Sequence, residues 1–344
     1  MKKHKWLTPV AFILLAAATV FAVSRQSRTF TAEGFMDYAA SLSPWGLPCA
    51  AVLTLCYILA EGLCLLNLCR IMGYKRNLFH GIQYSAADLY FSAITPSATG
   101  GQPASALLMI KDGIPGAVTT VVLLINLALY NAALFAVFAF SFILYPCVFR
   151  IFDVPAQILI ILGAFFHALL MAGIILLVFN ERLFLKITDL FLRLGQRLRL
   201  FRGAEERRKK LVQVEKDYRE SAGTLGRHLP RIFSAFAFSL LQRISITLVP
   251  TVLYAASGGC IQDSRKLFSI QMLAVMGSNS VPIPGAVGVA DYLFLNGYAS
   301  LLPDPVNLEL LARTVSFYMC VLVCALIVLI RFLVQKNTAG KTNY

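Results

Sequence analysis

Apolar residues fall in six blocks, at about 6–23, 46–67, 118–145, 155–179, 232–256 and 308–334. Each approaches or exceeds the roughly 20 residues a helix needs to cross a bilayer. Polar or basic segments separate them. The pattern predicts an all-α polytopic membrane protein with about six spanning helices, built as one integral membrane domain over residues 1–344.

Two further apolar stretches, about 81–110 and 267–302, are broken in their middles. The first break carries Pro96, Gly100, Gly101 and Pro103; the second carries Pro282, Pro284, Gly285 and Gly288. Proline removes a helical donor and clashes with the preceding turn, so neither stretch reads as one continuous spanning helix. Irregular backbone at membrane depth is tolerated where protein buries it or where it lines a wet cavity. The expectation is two re-entrant hairpins with these residues at their tips. Two kinked spanning helices without symmetry are the alternative.

Charge then sets an orientation. Of the 31 Lys and Arg, this topology places 24 on one side, among them 14 in the polar segment 180–231. The positive-inside rule makes that side cytoplasmic, with both termini in the cytoplasm. Block 6–23 is read as an uncleaved first span, with a signal peptide as the alternative. The first hairpin then opens to the inside and the second to the outside, so the segment 46–145 resembles an inverted copy of 232–334. Inverted repeats with broken helices are a usual scaffold for alternating access.

Composition agrees. The chain is 58% hydrophobic and 14% charged, against about 25% charged in soluble domains. The net charge of +14 is read as topology and contact with anionic lipid heads, not as nucleic-acid binding. Within 180–231, Leu183, Ile187, Leu190, Leu194, Leu198 and Phe201 recur at helical spacing. They fit an amphipathic helix on the inner leaflet or a packing extension of the fourth span.

Ionisable side chains inside spans are costly and mark candidate sites. Here they are Glu61, Asp88, Arg243 beside Gln242, Asp291 and Arg313. A buried Arg suits a lipid phosphate because its planar fork binds phosphate through two hydrogen bonds. The carboxylates would pair with the arginines, meet a cationic head group or carry a proton; a purely structural ion pair is the plain alternative. Thr95, Thr99, Gln102, Ser278 and Asn279 add neutral hydrogen bonding at the breaks. No catalytic triad, HExxH or GxxxxGK[ST] motif is present, so no catalytic residue, cofactor or metal is expected. The four His are scattered, and His167 reads as a packing residue. The eight Cys read as small buried hydrophobes, although a disulfide between Cys147 and Cys260 stays open.

The segment Thr95-Pro96-Ser97-Ala98-Thr99-Gly100-Gly101-Gln102-Pro103 resembles the lysylphosphatidylglycerol synthase transmembrane family, the flippase-like region of the multiple peptide resistance factor. So does Pro284-Gly285-Ala286-Val287-Gly288-Val289-Ala290-Asp291, followed by Arg313 in the last span. The family tends to have PGGxGxxE; this chain has Ala286 for the second Gly and Asp291 for the Glu. Two-part members add a soluble aminoacyltransferase domain that this sequence lacks, so the resemblance implies lipid translocation, with the plasma membrane as its location. The cargo would be a phospholipid, an aminoacyl-phospholipid or a polyprenyl-linked lipid. The partners would be membrane lipids and a separate lipid synthase, with oligomerisation left open. A membrane-embedded head-group transferase and a scaffold for a synthase are the competing readings. On the transport reading, Arg313→Ala is expected to abolish movement with normal expression.

Overall fold

The computed structural model describes residues 32–95, 98–180, 182–183, 185–187, 189–190, 212, 228–279, 281, 283–286, 288–303 and 305–341. Among these residues the fold is helical, with no strand. The helices are α1 (Ala32–Ser41), α2 (Gly46–Ile71), α3 (Leu78–Ile94), α4 (Gly101–Lys111), α5 (Gly116–Leu144), α6 (Val154–Phe179), α7 (Leu229–Ala256), α8 (Ser264–Ser278), α9 (Val289–Tyr298), α10 (Val306–Arg313) and α11 (Cys320–Lys341). A π-helical turn, Thr314–Met319, joins α10 to α11 in one long rod.

Among the described residues, five helices are long and apolar enough to cross a membrane: Gly46–Ile71, Gly116–Leu144, Val154–Leu177, Leu229–Ala256 and Val306–Val334. They match five of the six expected blocks. Block 6–23, most of 180–231 with its expected amphipathic helix, and the prolines at 96 and 282 lie outside the described residues. The apolar surface of α6 points outward, with Phe165 67% and Leu169 62% exposed. That suits a helix facing hydrocarbon rather than water.

The two broken stretches fold as helical hairpins. The first pairs α3 with α4, and the second pairs α8 with α9. Their arms of 17 and 11, and of 15 and 10 residues, reach about 25, 16, 22 and 15 Å at 1.5 Å per residue. All fall short of a hydrocarbon core of about 30 Å. The first hairpin starts at Leu78, slightly before the position expected, because Asn77 caps α3 by accepting from the His80 N–H at 3.1 Å.

Each hairpin is tied at its base. In the first, the Tyr84 hydroxyl donates to Asp112 at 2.6 Å, and the Arg76 guanidinium donates to the Asp112 carbonyl. Arg331 of α11 binds the Asp112 carboxylate at 2.6 Å and donates to Gln83. In the second, Tyr298 donates to Gln271 at 2.6 Å, and Lys266 donates to the Ser300 carbonyl at 3.2 Å.

The two largest apolar cores among the described residues follow from this arrangement. One gathers the first hairpin around the Ile58–Ile71 half of α2 and the Cys320–Val328 part of α11. The other gathers the second hairpin around Ala50 of α2 and Leu308–Val315 of the last rod. The hairpins therefore occupy opposite ends of both long helices. The α2 helix packs along α7, and α3 crosses α2 closely. A Cβ on Gly62 would lie 2.9 Å from the Gly81 backbone, and small residues permit that approach.

Asp153 caps α6 and joins it to α9. Its carboxylate accepts from the Tyr292 hydroxyl at 2.6 Å and from the Ala156 N–H at 2.9 Å. These bonds, the Tyr292 one foremost, hold its pKa below the ordinary value of 3.8. A lowered folded-state pKa supplies stability that is complete above the unfolded value and fades as pH falls through the folded one. Below about pH 4 the melting temperature is therefore expected to fall less in Asp153→Asn than in the wild type. Parallel thermal melts across that range check it; identical slopes would show that the cap contributes nothing titratable.

Candidate functional site

Polar residues collect at the level between the two cores. Along α2 the apolar register is interrupted by Thr54 and Glu61, along α5 by Asn126, Tyr130 and Asn131, and along α7 by Gln242 and Arg243. All but Tyr130 are buried, although they lie within long apolar helices. The π-helical turn Thr314–Met319 sits at the same level of the last rod, and its Val315 carbonyl accepts from the Thr54 hydroxyl at 3.3 Å. Such turns often mark functional positions within helices.

Glu61 is satisfied by two amides. Asn126 Nδ2 donates to one oxygen at 2.7 Å, and Gln242 Nε2 donates to the other at 2.6 Å. Arg243 stands within electrostatic reach, yet no ion pair joins them among the described residues. The Arg243 guanidinium lies over the Tyr130 ring, 4.4 Å from its centroid. Its Nε and Nη2 are buried with no hydrogen-bond acceptor. Buried guanidinium N–H groups are ordinarily all paired, so these two donors are open to an anion.

His167 of α6 adds to this surround. Asn131 Nδ2 donates to the Leu127 carbonyl at 2.8 Å, which turns its oxygen toward His167 Nδ1, 2.9 Å away. Nδ1 therefore carries the hydrogen, and the buried Nε2 has no partner. His167 is thus a buried, hydrogen-bonded packing residue, as the sequence suggested. An apolar groove is lined by Leu129 of α5, the residue before Tyr130, and by Ile232, Phe233 and Phe236 near the start of α7.

The first hairpin tip borders the belt through Asp88. Ser92 donates to its carboxylate at 3.2 Å, and Gln102 Nε2 does so at 3.0 Å. Thr95 accepts from the Gly100 N–H at 2.9 Å and donates to the Phe91 carbonyl at 2.6 Å, which closes the turn. Gly101 allows α4 to start against Asp88: a Cβ there would lie 2.1 Å from its Oδ1. Pro103 falls in the first turn of α4, where a missing N–H costs nothing. Thr99 and Asn279 are exposed on the two tips, and Ser278 is buried at the end of α8.

The second tip is organised by Arg313. Its Nη1 binds Asp291 at 2.6 Å, and its Nη2 donates to the Gly285 carbonyl at 2.8 Å. The Phe317 ring lies 5.5 Å from the guanidinium. Asp291, although a methylene shorter than Glu, reaches Arg313 and also accepts from the Gly288 N–H at 2.7 Å. The turn at 284–286 packs against α3, so the second tip meets the first hairpin. The two arginines thus differ. Arg313 commits both terminal nitrogens to the tip and leaves only its buried Nε unpartnered, whereas Arg243 leaves both Nε and Nη2 without an acceptor. The expected pairing of arginine with carboxylate occurs only between Arg313 and Asp291 among the candidates.

Backbone at this tip makes one departure from the family pattern costly. Gly285, Ala286 and Gly288 have φ of 62°, 49° and 85°. A left-handed conformation costs a non-glycine residue about 1–2 kcal/mol. Ala286→Gly is therefore expected to stabilise the protein by about 0.5–1 kcal/mol after the greater chain entropy of Gly in the unfolded state. An unchanged or lowered melting temperature in detergent would contradict this.

Glu309 has no counterpart among the sequence candidates. It is 1% exposed, one turn before Arg313 on the same helix, with Oε1 4.0 Å from Nη1. The Glu-x-x-x-Arg spacing in an apolar block was its one signal. Asn126, Asp112 and Arg331 were also not anticipated as structural partners. Cys147 and Cys260 are exposed free thiols and form no disulfide. Among the described residues no group of three His, Cys, Asp or Glu is placed to hold a metal.

A search among curated proteins finds no match to this chain. The family model described as the lysylphosphatidylglycerol synthase TM region matches residues 7–324, a span that includes both hairpins and the polar belt. The chain belongs to that family.

Proposed function

We propose that this protein moves a phosphate-bearing lipid between the leaflets of the plasma membrane, as a flippase. The observation that carries the reading is Arg243, a buried guanidinium with two unpaired donors at mid-depth of a long apolar helix. A lipid phosphate would supply the missing acceptors through charge-assisted hydrogen bonds, while its chains lie along the apolar groove beside Leu129 and Phe233. Family membership supports a role with membrane lipids. Within the cargo classes named by the sequence, a phospholipid, an aminoacyl-phospholipid and a polyprenyl phosphate all present the required anion.

On this reading α3–α4 and α8–α9 are re-entrant hairpins of one integral membrane domain, approaching the belt from opposite sides. Helices α2 to α5 and α7 to α11 form the two halves of an inverted repeat. Both termini and the basic segment 180–231 are cytoplasmic. Asp88 and Glu61 border the head group, and Thr95, Thr99, Gln102 and Asn279 line its approach. The purified protein, reconstituted with labelled phosphatidylglycerol, lysyl-phosphatidylglycerol or a polyprenyl phosphate, is expected to redistribute one of them chemically unaltered. A new head group formed on addition of charged tRNA or a sugar donor would favour a transferase instead.

A further inference from the structure

The carboxylates beside Arg313 outnumber it. Asp291 and Glu309 are both fully buried, 0% and 1% exposed, and one guanidinium faces them. Asp291 has its donors: Arg313 Nη1 and the Gly288 N–H. Glu309 has none. Neither of its oxygens finds a hydrogen-bond donor, and Arg313 Nη1 at 4.0 Å is beyond hydrogen-bond length. The Asp291 carboxylate abuts it. Two ionised carboxylates in that position would repel each other, and the unpaired one would be stripped of water with nothing in return. A proton on Glu309 removes both problems. It neutralises the excess charge and gives Glu309 an O–H that donates to Asp291, as in other carboxyl pairs that share a proton.

We propose that Glu309 binds a proton shared with Asp291, and that this proton fastens the second hairpin tip. Among the described residues, the titratable and charged groups in electrostatic contact with Glu309 are Asp291 and Tyr298 from α9 and Arg313 from α10 itself; α1 and α7 also pack on α10. With Glu309 protonated, Nη1 and Nη2 of Arg313 are committed to Asp291 and the Gly285 carbonyl, and the tip is held. Loss of the proton leaves a carboxylate one helical turn from Arg313. It competes for the same guanidinium and weakens the bond to Gly285. Proton binding and tip opening are thereby linked, which supplies a route by which a proton gradient drives movement at the tip.

The test is infrared difference spectroscopy on the reconstituted full chain. Near neutral pH, wild type minus Glu309→Gln is expected to show the carbonyl stretch of one protonated carboxylic acid per chain. Asp291→Asn should shift that band, because its hydrogen-bond acceptor changes. Glu309→Gln keeps a neutral donor toward Asp291 and so preserves the fold; its melting temperature checks this. A difference spectrum without the band overturns the proposal. For the tip, thiol labelling of Ile283→Cys, an exposed position, is read above the background of the native cysteines. On raising the pH it should accelerate more in the otherwise wild-type chain than in the Glu309→Gln background. Equal acceleration would break the link to the tip. The spectrum needs no cargo: a band without lipid movement would count against the flippase reading alone, and movement without a band against the proton site alone.

Discussion

Arg313→Ala is expected to cost about 3–5 kcal/mol of stability, because it leaves the buried Asp291 carboxylate without its cation. The pair is 2.6 Å long, with 7% and 0% exposure at its two ends. The Gly285 carbonyl loses its donor in the same step. A loss of that size is a large part of a typical folding free energy, so the yield of folded protein should drop, and transport with it. The normal expression anticipated from sequence therefore does not follow from this geometry. Adding Asp291→Asn should recover most of the stability, since Asn is neutral and still offers an oxygen to the Gly288 N–H. Thermal melts of the two variants in detergent decide it. A single variant that melts with the wild type would show that the ion pair does not hold the tip.

Arg243→Gln is expected to do the opposite: keep the fold and lose the ligand. Its Nε and Nη2 have no partner, so removing them orphans no acceptor; the contact with the Tyr130 ring is lost, while Glu61 keeps the two amides that hold it. The melting temperature should stay close to that of the wild type. Hydrogen bonds to a charged group are worth about 1.5–3 kcal/mol, which corresponds to a roughly 10- to 100-fold weaker affinity for a lipid phosphate. Arg243→Lys should fall short of wild type as well, since an ammonium cannot reproduce the planar two-donor fork. Equilibrium binding of a labelled polyprenyl phosphate and of phosphatidylglycerol in detergent provides the measurement. Equal affinity in wild type and Arg243→Gln would remove Arg243 from the site.

Long-range order in this chain was legible where polarity and helix breaking coincide with membrane depth. Blocks of apolar residues located five helices to within a few positions, because hydrocarbon leaves helix as the economical way to satisfy backbone groups. Gly100, Gly101, Gly285 and Gly288 located the tips for the same reason: left-handed φ and close approach exclude most side chains there. Partners were less legible. Asn126 is a neutral residue in an apolar block and carries no sign of the carboxylate it meets 65 positions away. Arg331, near the end of the last apolar block, carried no sign that it binds Asp112 across 219 positions. Glu61 was one of three carboxylates open to pairing with the arginines, but Gln242 and Asn126 hold it. Glu309 was hidden by its neighbourhood, since a single acid near a span boundary reads as part of a solvated end until the fold buries it.

The account stands most directly on the initial rate of lipid exchange between leaflets in proteoliposomes, with wild type and Arg243→Gln measured side by side at equal protein. Labelled phosphatidylglycerol, lysyl-phosphatidylglycerol and a polyprenyl phosphate are tested separately. Wild type is expected to accelerate exchange of at least one of them, and Arg243→Gln to slow that lipid by about 10-fold or more with an unchanged melting temperature. Folded wild-type protein that moves none of the three, or a variant that moves lipid as fast as wild type, would contradict it.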